Sequence, residues 1–188
     1  MANLIGVKQG TAIVWANSGD YSQTITGLAR TKQLDLTSVA AGEARQGDKA
    51  DIASIATTLN ARWYLFLIGI EFVSATTIVN GETVDLYWAG SPSATAGNAN
   101  PGGTSGADAD YIGTAGGLLA GSLLALQPIG SLDVTNDDDQ VVQYQSFITK
   151  LPHRYGMPVV VDNSAAGVLN SNAVEMLVAC IPLEDEIQ

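Results

Sequence analysis

Residues 62–74, RWYLFLIGIEFVS, constrain the fold more than any other stretch of this chain. They are aromatic and β-branched, and the first half is apolar on both faces, which is what a central strand in a packed layer requires. Asn80-Gly81 follows as turn chemistry, because both residues tolerate positive φ, and it predicts a hairpin. Residues 82–89 then alternate. Val84, Leu86 and Trp88 fall on one face, while Thr83, Asp85 and Tyr87 fall on the other.

The rest of the chain keeps the same grammar of short apolar runs divided by turn residues. TAIVWA at 11–16 reads as a strand and is closed by Asn17-Ser18-Gly19-Asp20. Residues 21–26 suit a second strand and 28–36 a weaker one, while the polar, mixed-charge 41–51 suits an exposed edge strand or loop. Ile52, Ile55, Ala56 and Leu59 share one face of a helix, against which Thr57-Thr58 count. Residues 118–126 fit a helical turn, and strands are expected at 129–134, 140–148, 157–162 and 173–183. Pro158 and Pro182 lie inside the last two, so those strands should be edges or be broken there. About eight strands without helical crossovers predict an all-β fold, an antiparallel β-sandwich of jelly-roll-like kind.

The 188 residues suit one domain, 1–188, with an N-terminal arm at 1–10 and a long Gly/Ala/Ser-rich loop at 90–117. A structureless loop of that length inside a compact domain is normally disordered or functional. With 46% hydrophobic and 14% charged residues the chain is globular rather than disordered. Its formal charge is −11, and no Lys or Arg occurs between Trp63 and Thr149, where nine acids do. Nucleic acid is a poor partner for such a surface, since phosphates are bound chiefly by Lys and Arg. An anionic membrane surface would repel it. Residues 1–10 hold one lysine and no apolar core long enough for a secretory signal, and the longest apolar run, 63–70, is far short of a span. The expectation is a soluble protein made in a cytoplasm.

Reactive constellations are few. A nucleophile needs a neighbouring base, and His153 is the one imidazole; Cys180 sits in an apolar run and reads as core. There is no Gly-x-Ser-x-Gly elbow and no phosphate-cradling glycine loop followed by lysine. Asp137-Asp138-Asp139 and the Asp108/Asp110 pair offer calcium-type oxygens, but consecutive aspartates cannot all face one ion from a strand and no EF-hand pattern is present. Glu71 and Asp85 could sit on neighbouring strands as a carboxylate pair, with nothing else in support. No enzyme, metal or cofactor is therefore expected. Trp15, Trp63, Trp88, Tyr87 and Tyr111 are candidates for a sugar-stacking face, although Trp63 and Trp88 read as core on strand spacing.

Two stretches carry a resemblance. GETVDLYWAGSPSATAGNANPGGTSGADADY at 81–111 and LPHRYGMPVVVDNSAAGVLNSNAVEMLVACIPL at 151–183 are similar to segments of small virion structural proteins of tailed bacteriophages. That resemblance implies a jelly-roll-like structural protein present in many copies and located in the virion after assembly in the host cytoplasm. With the strong negative charge, which suits the outside of the head, the expectation is a capsid decoration (cement) role with homo-oligomeric contacts and contacts to the major capsid protein. A neck, collar or tail component is the alternative, and a carbohydrate-binding module for host attachment a second. The candidate contact residues are Tyr87, Asn98, Asn100, Asp108, Asp110 and Tyr111.

Overall fold

Two β-sheets stack face to face in the computed structural model, which describes residues 5–22, 28–55, 63–73, 79, 81–115, 117–135 and 141–187. The strands are β1 (Ile5–Gln9), β2 (Ile13–Ala16), β3 (Lys32–Gln33), β4 (Ala44–Gln46), β5 (Ala50–Asp51), β6 (Trp63–Ile70) and β7 (Thr83–Ser91). They continue with β8 (Ala109–Asp110), β9 (Gln127–Asp133), β10 (Gln143–Thr149), β11 (Tyr155–Asp162) and β12 (Leu177–Ile187). Two short helices, α1 (Ile52–Ile55) and α2 (Leu119–Leu123), interrupt them. One sheet runs β10-β6-β12-β2-β3 with β1 also on β12; the other runs β8-β4-β11-β7-β9 with β5 also on β11. All pairings are antiparallel except β2 with β3. The β-sandwich expected from the sequence is the fold.

Between the sheets lies the main core. Val84, Leu86 and Trp88 point inward from β7, as the alternation predicts, while Asp85 and Tyr87 lie on the outer face. Trp88 meets Trp15 and Phe66 edge to face, with ring centroids 5.8 and 5.6 Å apart, the geometry that aromatic quadrupoles favour. The Trp88 indole lies so close over Gly156 that a Cβ at 156 would overlap the ring. Each sheet also has its outer face covered by its own chain. Leu28 and Tyr21 pack over Val14, Ala16, Leu177 and Ala179 of one, and the segment between β7 and β9 packs over the other.

Several sequence expectations give way to long-range pairing. The hairpin across Asn80-Gly81 does not join β6 to β7: β6 pairs with β10 and β12, β7 with β9 and β11, in opposite sheets. Gly81 does take a positive φ, and Glu82 N–H bonds the Val79 carbonyl, so the turn forms locally; Asn80 itself and 74–78 lie outside the described residues. Residues 41–51 are not an exposed edge either. β4 is flanked by β11 and β8, with Ala44 and Gln46 buried. Of the run 28–36 only β3 is strand, while 23–27 and the expected helical positions Ala56 and Leu59 lie outside the described residues.

The prolines are instructive. β11 and β12 are both central strands, not edges, and both run through their prolines. Each proline sits where the partner on one side changes. Pro158 lies between the β5 and β4 pairings, and its carbonyl accepts the Gly47 N–H at 3.0 Å. Pro182 lies between the β2 and β1 pairings, and its carbonyl accepts the Gly10 N–H at 2.9 Å. In an antiparallel strand a residue's N–H and C=O face the same side, so each missing donor falls at the end of a short partner strand, where one ladder stops and the next begins, and interrupts neither.

Candidate interaction surface

The segment after β7 is anchored by Arg45, Gln46, Asp48 and Lys49, within the stretch 41–51 that reads as an exposed edge strand or loop in the sequence. Lys49 is buried, and its Nζ donates to Ser91 Oγ (3.1 Å) and to the carbonyls of Ser93 (3.2 Å), Thr95 (2.8 Å) and Asn98 (3.0 Å). One ammonium thus folds 91–98 around itself. Burial lowers its proton affinity below that of an ordinary lysine, while the four oxygens act to hold the charge. Next along the chain, Asn100 Nδ2 ties the Ala96 and Thr104 carbonyls together at 2.7 and 3.0 Å. Gly106 (φ +83) passes so close to the Ala96 carbonyl that a side chain there would overlap it. The buried Gln46 amide then clamps Ser105, donating to its Oγ and accepting from its N–H.

A charged anchor follows. Arg45 binds Asp108 through two nitrogens at 2.9 and 3.0 Å and Asp110 through a third at 2.7 Å. The bidentate pair is well shielded and strong in geometry, whereas Asp110 stands 82% exposed. Asp108 also accepts the Asp35 N–H, and its own N–H donates to Asp48. Hydrogen bonds from Thr37 and Asn17, with Arg45 near, hold Asp35 below the usual carboxylate range, although desolvation acts against them. Tyr111 turns inward. It is buried against Leu126, Met157 and Val159, and its hydroxyl donates to the Gly102 carbonyl at 2.6 Å.

Above this platform lies α2. Leu119 and Leu123 pack down on the sheet, four residues apart on one helix face. Ser122 Oγ accepts the Thr114 N–H at 2.8 Å and fixes the approach. Three aliphatic side chains around the helix have no cover: Ile112 is 74% exposed, Leu118 81% and Leu124 88%. Clefts flank α2 on both sides. One, of about 320 Å³, is walled by Val39, Ala44, Ile112 and Leu119, with Glu43 and Asp110 on its rim. The other is formed by Tyr87, Leu123, Leu124 and Pro128.

The six candidates read from the sequence therefore divide. Asn98 and Asp110 have exposed side chains, Asp108 is held inward by Arg45, and Asn100 is an internal tie. Tyr87 is half-buried and lines the apolar cleft. Tyr111, expected at the surface, is buried because its ring completes the outer core under α2. The exposed aliphatic trio is the part missed. Its signal is present in LLAGSLLAL at 118–126, where leucines on every side of a short helix cannot all face one sheet.

The other constellations are dispersed. Cys180 is fully inside the main core, where burial pushes its thiol far up, and His153 is exposed beside Gly90. Glu71 follows β6 and accepts from Asn170, whereas Asp85 lies on the outer face of the opposite sheet, so these carboxylates are not on neighbouring strands. Asp137, Asp138 and Asp139 lie outside the described residues. No group of three metal-capable side chains occurs among the described residues. Of the aromatic candidates, Trp15 and Trp88 are core, but Trp63, also expected inside, is 41% exposed with Lys150 over its ring at 4.5 Å. Among the described residues no helix is long and apolar enough to cross a membrane. No protein-family model matches this chain, and no curated protein matches it.

Proposed function

We propose that this chain is a non-enzymatic structural protein of a tailed-bacteriophage virion, a capsid decoration (cement) protein that adheres to neighbouring subunits on the outside of the head. The observation that carries the reading is the trio Ile112, Leu118 and Leu124, held in water on a platform that the chain's own Lys49, Gln46 and Arg45 make rigid. Exposed apolar groups on an ordered support mark a contact surface. Complete burial of one such side chain is worth about 1.5–3 kcal/mol. Three together give roughly 5–9 kcal/mol before the cost of association, several kcal/mol or more. One contact alone is weak, so a multi-copy assembly, in which avidity accumulates, suits it.

The strand order adds support. Eight strands form the body in the orders β10-β6-β12-β2 and β4-β11-β7-β9. We read this as jelly-roll connectivity, which viral capsid domains share with lectins and cupins. The order alone is analogy. The resemblance of 81–111 and 151–183 to phage virion proteins points the same way, and the net charge of −11 fits an outer surface better than one facing the genome.

Purified chain added to preformed heads that lack it should bind saturably and raise the temperature at which the heads break. The double variant Ile112→Ser/Leu124→Ser should lose both effects. Heads that ignore the wild-type chain, or bind the variant equally well, count against this role. Labelling confined to a single vertex would assign the chain to the neck or tail instead.

A further inference from the structure

We infer that the α2 surface receives a basic segment of a different protein, with an aliphatic or aromatic anchor flanked by lysine or arginine. The inference rests on the adhesive role proposed above and names the chemistry of the partner.

Charge decides the occupant. The cleft on the Ile112 side of α2 has apolar walls at Ile112 and Leu119 and a carboxylate rim at Glu43 and Asp110. Glu43 is exposed, accepts the Ala40 N–H at 3.3 Å and enters no ion pair among the described residues. Arg45, the cation of the cleft, is already engaged by Asp108 and Asp110. Glu43, Asp110 and the neighbouring Asp108 thus outnumber the one guanidinium beside an aliphatic ridge. A second copy of the chain docking here through the same face would bring an identical acidic rim, and its sequence has no Lys or Arg from 64 to 149 to answer it. Juxtaposed like charges disfavour that arrangement. A partner side chain that is apolar along its stem and cationic at its tip satisfies both parts of the cleft, stem against Ile112 and Leu119, head at Glu43.

The test uses the full-length chain and three labelled, capped peptides, read by fluorescence anisotropy. The first carries Leu-Phe flanked on each side by two lysines. The second replaces Leu-Phe by Ala-Ala, and the third replaces the lysines by glutamates. The first should bind at least about tenfold more tightly than either control. Its affinity should fall with added salt, and Ile112→Ser/Leu124→Ser and Glu43→Gln should each weaken it. These side chains are exposed, so the variants should melt like wild type. Equal binding of all three peptides, or variants that bind like wild type, overturns the inference. So does sedimentation of the chain as a dimer that Leu124→Ser dissolves, since the surface would then belong to a second copy. Peptide failure with head binding intact refutes this partner chemistry alone; loss of head binding refutes the adhesive role.

Discussion

Replacing Lys49 by Met keeps the aliphatic stem and removes the ammonium around which 91–98 is folded. An ammonium has three N–H donors, so at most three of its four oxygen contacts are complete at one time. At about 1.5–3 kcal/mol for each bond to a charged group, the gross loss is roughly 5–9 kcal/mol. Two effects offset most of it. Met does not incur the several kcal/mol of burying a charge. Ser91 Oγ already lies 3.2 Å from the Asn98 carbonyl and 3.4 Å from that of Ser93, and the exposed Thr95 can turn its carbonyl to water. The net cost should be about 2–3 kcal/mol, concentrated in the loop, which accelerates amide exchange by roughly thirty- to a hundred-and-fiftyfold. Hydrogen–deuterium exchange read by mass spectrometry should show this over 92–98, with β6 and β12 unchanged. Exchange within about threefold of wild type over 92–98 would refute the view that a single ammonium orders that part of the loop.

Other perturbations follow from the same geometry. Gly156→Ala sets a methyl group into the Trp88 indole and should cost about 1–3 kcal/mol by overpacking, lowering the urea midpoint; an unchanged midpoint contradicts the close approach. Tyr111→Phe removes the bond to the Gly102 carbonyl and should cost about 1 kcal/mol without loss of fold, read as a thermal shift of a few degrees. Burial, with Glu82 adding to it against the bonds from Ser164, raises the Asp162 carboxyl above the ordinary value. The folded state therefore favours the protonated acid. Its contribution is complete below the unfolded value of about 4 and is lost as pH rises through the folded one. Wild type should lose stability relative to Asp162→Asn between acid and neutral pH, and parallel melting curves across that range would contradict the shift.

How far the sequence discloses this protein depends on whether the determinant is local. The inward set Val84, Leu86 and Trp88 is legible because pleating alone sorts alternate residues. The turn at Gly81 is legible too, but not its meaning. Positive φ dictates a reversal, whereas membership of a sheet depends on β10, β11 and β12, some sixty to a hundred residues later. Pro158 and Pro182 mislead for a related reason: the rule excludes proline from a continuous ladder, and here both ladders change partner at the proline. Lys49 and Tyr111 are the harder cases. A lysine in a mixed-charge stretch reads as solvated, and only the convergence of carbonyls from 93, 95 and 98 buries it. Tyr111 sits in a Gly- and Asp-rich loop, and its burial requires the sheet face that Met157 and Val159 supply.

The most direct measurement is an electron cryo-microscopy reconstruction of the intact phage particle at side-chain detail. The account predicts density for this sandwich on the outside of the head, with Ile112, Leu118 and Leu124 buried against another protein and a basic residue of that protein beside Glu43. A particle lacking the chain, or one in which those three side chains face solvent, would contradict it.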